Sequence, residues 1–115
     1  MHTIKLGDFE VQSEKDTAEL QDQIDSFIVL LTLMGYGHKF MAGLDEGDFK
    51  YFLTYFKDMG NGKITLKGSI MFVCKDENHS FYMVRFNNYE YDRNVELYDI
   101  DQVTEQFKKI HDWVE

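Results

Sequence analysis

A chain of 115 residues with 43% hydrophobic, 29% charged and 16% aromatic side chains has the size of one ordinary soluble domain, residues 1–115. It buries about two thirds of its unfolded surface without a metal or disulfide staple. Twelve Lys and Arg against twenty-one Asp and Glu give a net charge of −9. With only Arg85 and Arg93 among the cations, direct nucleic-acid binding is not expected. The single cysteine, Cys74, has no intrachain partner, which fits a reducing compartment.

Met1-His2-Thr3-Ile4-Lys5 shows no charged-then-apolar export pattern, so cytoplasm is the expected location. Thr3-Ile4-Lys5-Leu6 and Phe9-Glu10-Val11-Gln12 alternate apolar and polar around Gly7-Asp8, the pattern of a hairpin of two strands. Ser13 or Asp16 then caps helix A, expected over residues 15–35 and closed by Gly35 or Gly37. Leu20, Ile24, Phe27, Ile28, Leu31 and Met34 share its inner face, while Val29 and Leu33 lie nearly opposite. Those two need a cover of their own, either a second helix through Tyr51 and Tyr55 or a second copy of the chain. The longest apolar stretch, Phe27 to Met34, is eight residues interrupted by Thr32, too short to span a membrane.

Residues 38–44 are ambiguous. Asp45-Glu46-Gly47-Asp48 then opens a predicted helix B over 46–59, with Phe49, Phe52, Leu53 and Phe56 on one face and an end at Gly60 and Gly62. From Lys63 the period switches to two: Ile64/Leu66, then Ile70/Phe72/Cys74 against Met71/Val73, with Gly68 breaking or bending the run. Asp76-Glu77-Asn78-His79 reads as a turn. Strands follow over 81–87 and 95–98, giving a three-stranded antiparallel meander because the connections are too short for parallel crossovers. Helix C, about 102 to 113 or 114, is capped by Asp99 or Asp101 and buries Val103, Phe107, Ile110 and Val114 with Trp113 on the flank. The fold class is α+β: a hairpin and a meander packed by three helices, in the order ββ-α-α-βββ-α.

No catalytic or cofactor site emerges. Gly60-Asn61-Gly62-Lys63-Ile64-Thr65 resembles the centre of an EF-hand loop, but with Gly62 at the sharp turn the ligand positions fall on Lys57, Met59 and Gly68, and calcium has no carboxylates to meet. A helix-to-strand turn is the expected role. Cys74, Asp76 and His79 are close in sequence, yet Cys74 alternates with Ile70 and Phe72 and points inward as a buried apolar thiol. His2, His38 and His111 share no metal-ligand spacing, no phosphate-cradle or nucleophile-elbow motif occurs, and Asn78-His79-Ser80 has no consequence without export. The carboxylate pairs Asp99/Asp101 and Glu90/Asp92 stand in no apolar stretch that would raise a pKa. Neither metal nor cofactor is expected. Lys108 and Lys109, beside Glu105 and Asp112, read as a solvated helix face.

Two acidic clusters remain. Residues 8–25 hold seven acids against Lys15, and residues 87–101 hold five against Arg93 with Tyr89, Tyr91 and Tyr98 interleaved. The first reads as helix-dipole complementation and solubility. The second combines rigid amphipathic contact area with negative potential, as a surface facing a basic protein does. The expected function is therefore binding: a small acidic module that docks on a basic partner, such as a nucleic-acid-binding enzyme, and inhibits it. Immunity proteins against toxins and phage-encoded anti-restriction or anti-CRISPR inhibitors use this strategy, an analogy of charge and size and not of sequence. The expected contact residues are Tyr89, Glu90, Tyr91, Asp92, Glu96, Tyr98, Asp99 and Asp101, with a second patch at Asp16, Glu19, Asp22 and Asp25. The alternatives are a homo-oligomeric assembly protein, with a homodimer contact at Val29 and Leu33, and a small enzyme or ligand-binding domain with an aromatic pocket around Tyr51, Tyr55 and Tyr82.

Overall fold

The N-terminal hairpin forms as its alternation requires. In the computed structural model, which describes residues 1–45, 47–75 and 78–114, β1 (His2–Leu6) pairs antiparallel with β2 (Phe9–Ser13), Leu6 opposite Phe9. Ile4, Leu6 and Val11 are fully buried. Helix α1 (Ala18–Leu33) starts where Asp16 Oδ1 accepts the Ala18 N–H at 2.9 Å and ends before Gly35. It buries Leu20, Ile24, Phe27 and Leu31, four residues of the expected stripe.

Among the described residues there is no helix B. In its place stand two long strands, β3 (Tyr36–Asp45) and β4 (Asp48–Gly60), and helix B's expected first residue, Glu46, lies outside the described residues. Phe49, Phe52, Leu53 and Phe56 fit a helical face, but Tyr51, Leu53 and Tyr55 alternate with Phe52, Thr54 and Phe56 just as regularly. In a segment this rich in aromatics the pleated arrangement, which gives both sets a surface to pack on, wins. β5 (Lys63–Cys74) runs through Gly68 without a break. The register slips by one residue between Tyr55 and Phe56, so Tyr55 faces Gly68, Phe56 faces Leu66 and Lys67 is the extra residue. β6 (Phe81–Asn88) and β7 (Arg93–Leu97) complete a five-stranded antiparallel meander, β3-β4-β5-β6-β7. Asp76 and Glu77 of the expected turn lie outside the described residues. The order is thus ββ-α-βββββ-αα, in place of ββ-α-α-βββ-α.

The expected helix C divides into α2 (Ile100–Phe107) and α3 (His111–Val114). Val103, Phe107, Ile110, Trp113 and Val114 are all buried, and between the two helices the chain tightens into i→i−3 hydrogen bonds, Lys109 N–H to Gln106 O at 3.0 Å and Ile110 N–H to Phe107 O at 3.3 Å. Side chains of the body hold the last carbonyls: Asn88 Nδ2 donates to Trp113 O at 2.8 Å and Tyr36 Oη to Val114 O at 2.7 Å.

Hairpin and helices share one core with the inner sheet face, through Leu53, Tyr55, Ile70, Phe72, Val84 and Phe86. Edge-to-face contacts join Phe27 to Tyr55 at 5.4 Å and Phe86 to Phe107 at 5.0 Å. Among the described residues no helix or second sheet covers the outer face, where Met41, Phe52, Thr54, Phe56, Met71 and Arg85 stand in register across the strands. Pairing with β3 ends at Lys57 and pairing with β6 begins at Gly68, so residues 58–64 pair only with each other, as an arm that exposes Met59 and Ile64, with Leu66 exposed at its base. The Gly60-Asn61-Gly62 segment is its tip, with all three residues at left-handed φ (82°, 57° and 75°), a strand-to-strand turn where a helix-to-strand turn was expected.

Candidate functional site

The tyrosine-acid stretch forms a turn and the strand after it. Residues 89–92 connect β6 to β7, held by Asn88 Oδ1, which accepts the N–H groups of Glu90 (3.0 Å) and Tyr91 (3.3 Å), and by Asp92 at φ 48°. Tyr89 reaches the outer sheet face, its hydroxyl 2.9 Å from Ser69 Oγ, while Tyr91 is exposed. Most of the carboxylates here face internal cations: Glu90 pairs with Lys67 at 3.3 Å, Glu96 with Arg85, and Lys15 lies 3.1 Å from Asp99 and 3.8 Å from Asp101. Tyr98, exposed, hydrogen-bonds Glu96 at 3.4 Å. The residues fall into separate local clusters, and much of their charge is matched within the chain.

Asp99 is the cap of α2, its Oδ1 accepting the Asp101 N–H at 2.8 Å. That hydrogen bond first, and Lys15 second, hold its carboxyl below the ordinary 3.8. A depressed folded-state pKa makes the contribution complete above the ordinary value and lost as pH falls below it. Asp99→Asn is therefore expected to be less stable than the parent at neutral pH, with the difference narrowing in urea titrations at about pH 3; a constant difference would contradict this role.

The second patch is differently placed. Asp16 stands at the start of α1 and Glu19 bridges to Lys108 at 3.3 Å, but Asp22 and Asp25 are both exposed on a helix whose sixteen residues include no Lys or Arg. Asp22, Asp25, Val29 and Leu33 follow the i, i+3, i+7, i+11 spacing of one helix stripe. The outward side of α1 is thus acidic in its first half and apolar in its second, where Val29 is 57% and Leu33 79% exposed. The expected cover from helix B is overturned, since Tyr51 and Tyr55 are core residues of β4, on the opposite side of α1.

The sequence reading missed β3. Among the described residues it is an outermost strand and pairs with β4 alone, over ten residues in unbroken register. Phe56 lies across Gly37, and beside it a groove of about 450 Å³ runs over the outer face between Lys39, Met41, Phe52 and Leu66. On the inner face a second groove of about 580 Å³ separates β3 from α1 and β1. The sequence signal for this strand was weak, because Gly37 and Gly43 dilute its β propensity and both of its faces carry apolar side chains.

Of the other residues considered from sequence, Tyr82 and Asp99 border a cleft of about 330 Å³ together with Lys15 and Lys75. Tyr51 and Tyr55 are buried, and Tyr82 donates to Asp48 Oδ2 at 2.7 Å. Cys74 is fully buried; burial first, and the Asp48 charge second, push its thiol up to about 12, so it is no nucleophile at neutral pH. His79 sits against the Phe49 ring at 4.5 Å and hydrogen-bonds Tyr51, while Asp76 lies outside the described residues. Cys74→Ser is expected to cost about 1–3 kcal/mol in urea unfolding, as a hydroxyl without a partner in an apolar site; an unchanged midpoint would contradict the packing. Among the described residues no group of three His, Cys, Asp or Glu is placed to hold a metal ion, and no helix is long and apolar enough to cross a membrane. Comparison with protein families, curated proteins and solved structures finds no matching family model, protein or structure.

Proposed function

We propose that this chain is a protein-binding module that captures a basic partner on the acidic outward side of α1, and that by occupying such a surface it keeps the partner from nucleic acid. One observation carries the reading. α1 exposes Asp22 and Asp25 without a single basic residue in the helix, whereas Glu90, Glu96, Asp99 and Asp101 lie against Lys67, Arg85 and Lys15. Carboxylates already matched by a cation add little steering potential; Asp22 and Asp25, the latter accepting only the neutral amide of Gln21 at 3.2 Å, add more. This shifts the contact from the Tyr89–Asp101 stretch to the second patch. The test is capture from the native cell at low salt. A basic protein retained at low ionic strength and released near 1 M salt, where the Debye length is about 3 Å, supports the reading; recovery of only neutral or acidic proteins contradicts it.

The exposed Val29 and Leu33 favour a second reading, self-association through the apolar half of the same stripe. If light scattering gives a dimer, Val29→Glu is expected to dissociate it. A monomer at high protein concentration leaves the stripe to a partner.

A further inference from the structure

Resting on the second reading, self-association through Val29 and Leu33, we propose that the surface receiving them is the outer sheet face of a second copy, so that chains join head to tail. Two patches hold most of the exposed aliphatic side chains. One is the α1 stripe. The other lies on the outer face, where Met41, Ile64 and Leu66 stand exposed around the groove of about 450 Å³. Pairing like with like would cover one patch and leave the other in water, whereas head-to-tail contact covers both through one interface.

The patches match in shape and in charge. The stripe is the ridge of a helix, and the groove is a furrow lined by Phe52 and Phe56, with Phe56 lying across β3 in space that a side chain at Gly37 would fill. An apolar helix ridge in such a furrow is a common mode of docking. α1 brings Asp22 and Asp25 and no Lys or Arg, while the described lining of the groove holds Lys39 and no carboxylate. Further along the face, Glu90 and Glu96 are already matched by Lys67 and Arg85. Asp25 precedes Val29 by about one turn, so Val29 seated in the groove brings that carboxylate to the rim. Asp58 stands opposite Ile64 at the arm end, which sets the acidic half of α1 towards Lys39 and its apolar half towards Ile64 and Leu66. α1 packs on the inner side of the sheet, Phe27 against Tyr55, and its stripe points away from that core. The two patches therefore face opposite ways, and successive copies extend an open chain. A basic partner on α1 would compete with the groove for the same stripe.

The test is sedimentation velocity on the full chain over a concentration series, with two variants at exposed positions: Val29→Glu on the stripe and Leu66→Glu in the groove. The parent should grow past the dimer as concentration rises. Each variant alone should associate at least tenfold more weakly, with its circular dichroism unchanged. Mixed one to one, the variants should form a heterodimer and nothing larger, with the parent's affinity to within a few-fold, because the intact stripe of the Leu66→Glu chain seats in the intact groove of the Val29→Glu chain. A mixture that associates no better than its components would overturn the proposal. If Leu66→Glu assembles as the parent does while Val29→Glu does not, the groove is not the receiving surface and self-association through α1 still stands. A parent that stays monomeric at millimolar concentration contradicts both.

Discussion

Phe86→Ala is expected to remove about 3–5 kcal/mol of stability, the cost of truncating a fully buried aromatic residue. Phe86 has no exposed surface. It stands in β6 between Ile70 and Val95, and its ring meets Phe107 at 5.0 Å and Trp113 at 6.3 Å, both edge-on. It therefore ties the sheet to α2 and α3 at once. Since domains of this size are stable by only about 5–15 kcal/mol, the variant should unfold at much lower urea. Phe56→Ala is the informative contrast. Phe56 lies half-buried on the outer face of β4, so its truncation should cost about 1 kcal/mol, well under the full-burial value. Had residues 46–59 formed a helix with Phe49, Phe52 and Phe56 inward, the two losses would be alike. Denaturation midpoints for the pair thus test which side of the sheet is core.

The second large effect is expected at Gly68. A Cβ there would collide with the Tyr55 hydroxyl and with the carbonyl oxygen of Asn87 in β6. The bulge at Lys67 lies directly beside this point, and only glycine leaves room. Gly68→Ala should cost about 1–3 kcal/mol by overpacking, and Gly68→Val more. The Tyr55 hydroxyl has no hydrogen-bond partner among the described residues, and its burial pushes its pKa upward. Tyr55→Phe alone should accordingly be neutral or mildly stabilising. Combined with Gly68→Ala it should recover part of the loss, because one obstruction goes and the Asn87 carbonyl stays. Full additivity of the two changes would show that the hydroxyl is not the obstruction.

The residues that were legible in sequence are those whose periodicity admits one reading. Gly7-Asp8 between two alternating runs gave the hairpin, and Leu20, Ile24, Phe27 and Leu31 gave α1, because Gln21-Asp22-Gln23 and Asp25-Ser26 leave a single apolar spacing in its first half. Residues 49–56 defeated the same method: with Phe, Tyr and Leu on both faces, the spacings of three and four and the spacing of two are satisfied together. Only pairing with β3 and β5 decides between them, and such long-range partners leave no local mark. The acidic stretch 87–101 showed its composition but not its partners. Lys67 and Lys15 lie 23 and 84 residues from the Glu90 and Asp99 they approach, so neutralisation of those acids could not be read from neighbouring positions. The free edge of β3 was hidden for a related reason, since being outermost is a property of the whole sheet order.

The most direct test compares two charge reversals in the same capture experiment at low salt: Asp22→Lys with Asp25→Lys on α1, and Glu90→Lys with Glu96→Lys beside the β6–β7 turn. Both pairs lie on exposed positions, and circular dichroism should show the fold unchanged. If α1 is the docking side, the α1 variant loses the basic partner while the turn variant keeps it to within a few-fold. Retention by the α1 variant together with loss by the turn variant would contradict the assignment and return the contact to Tyr89, Glu90, Tyr91 and Asp92.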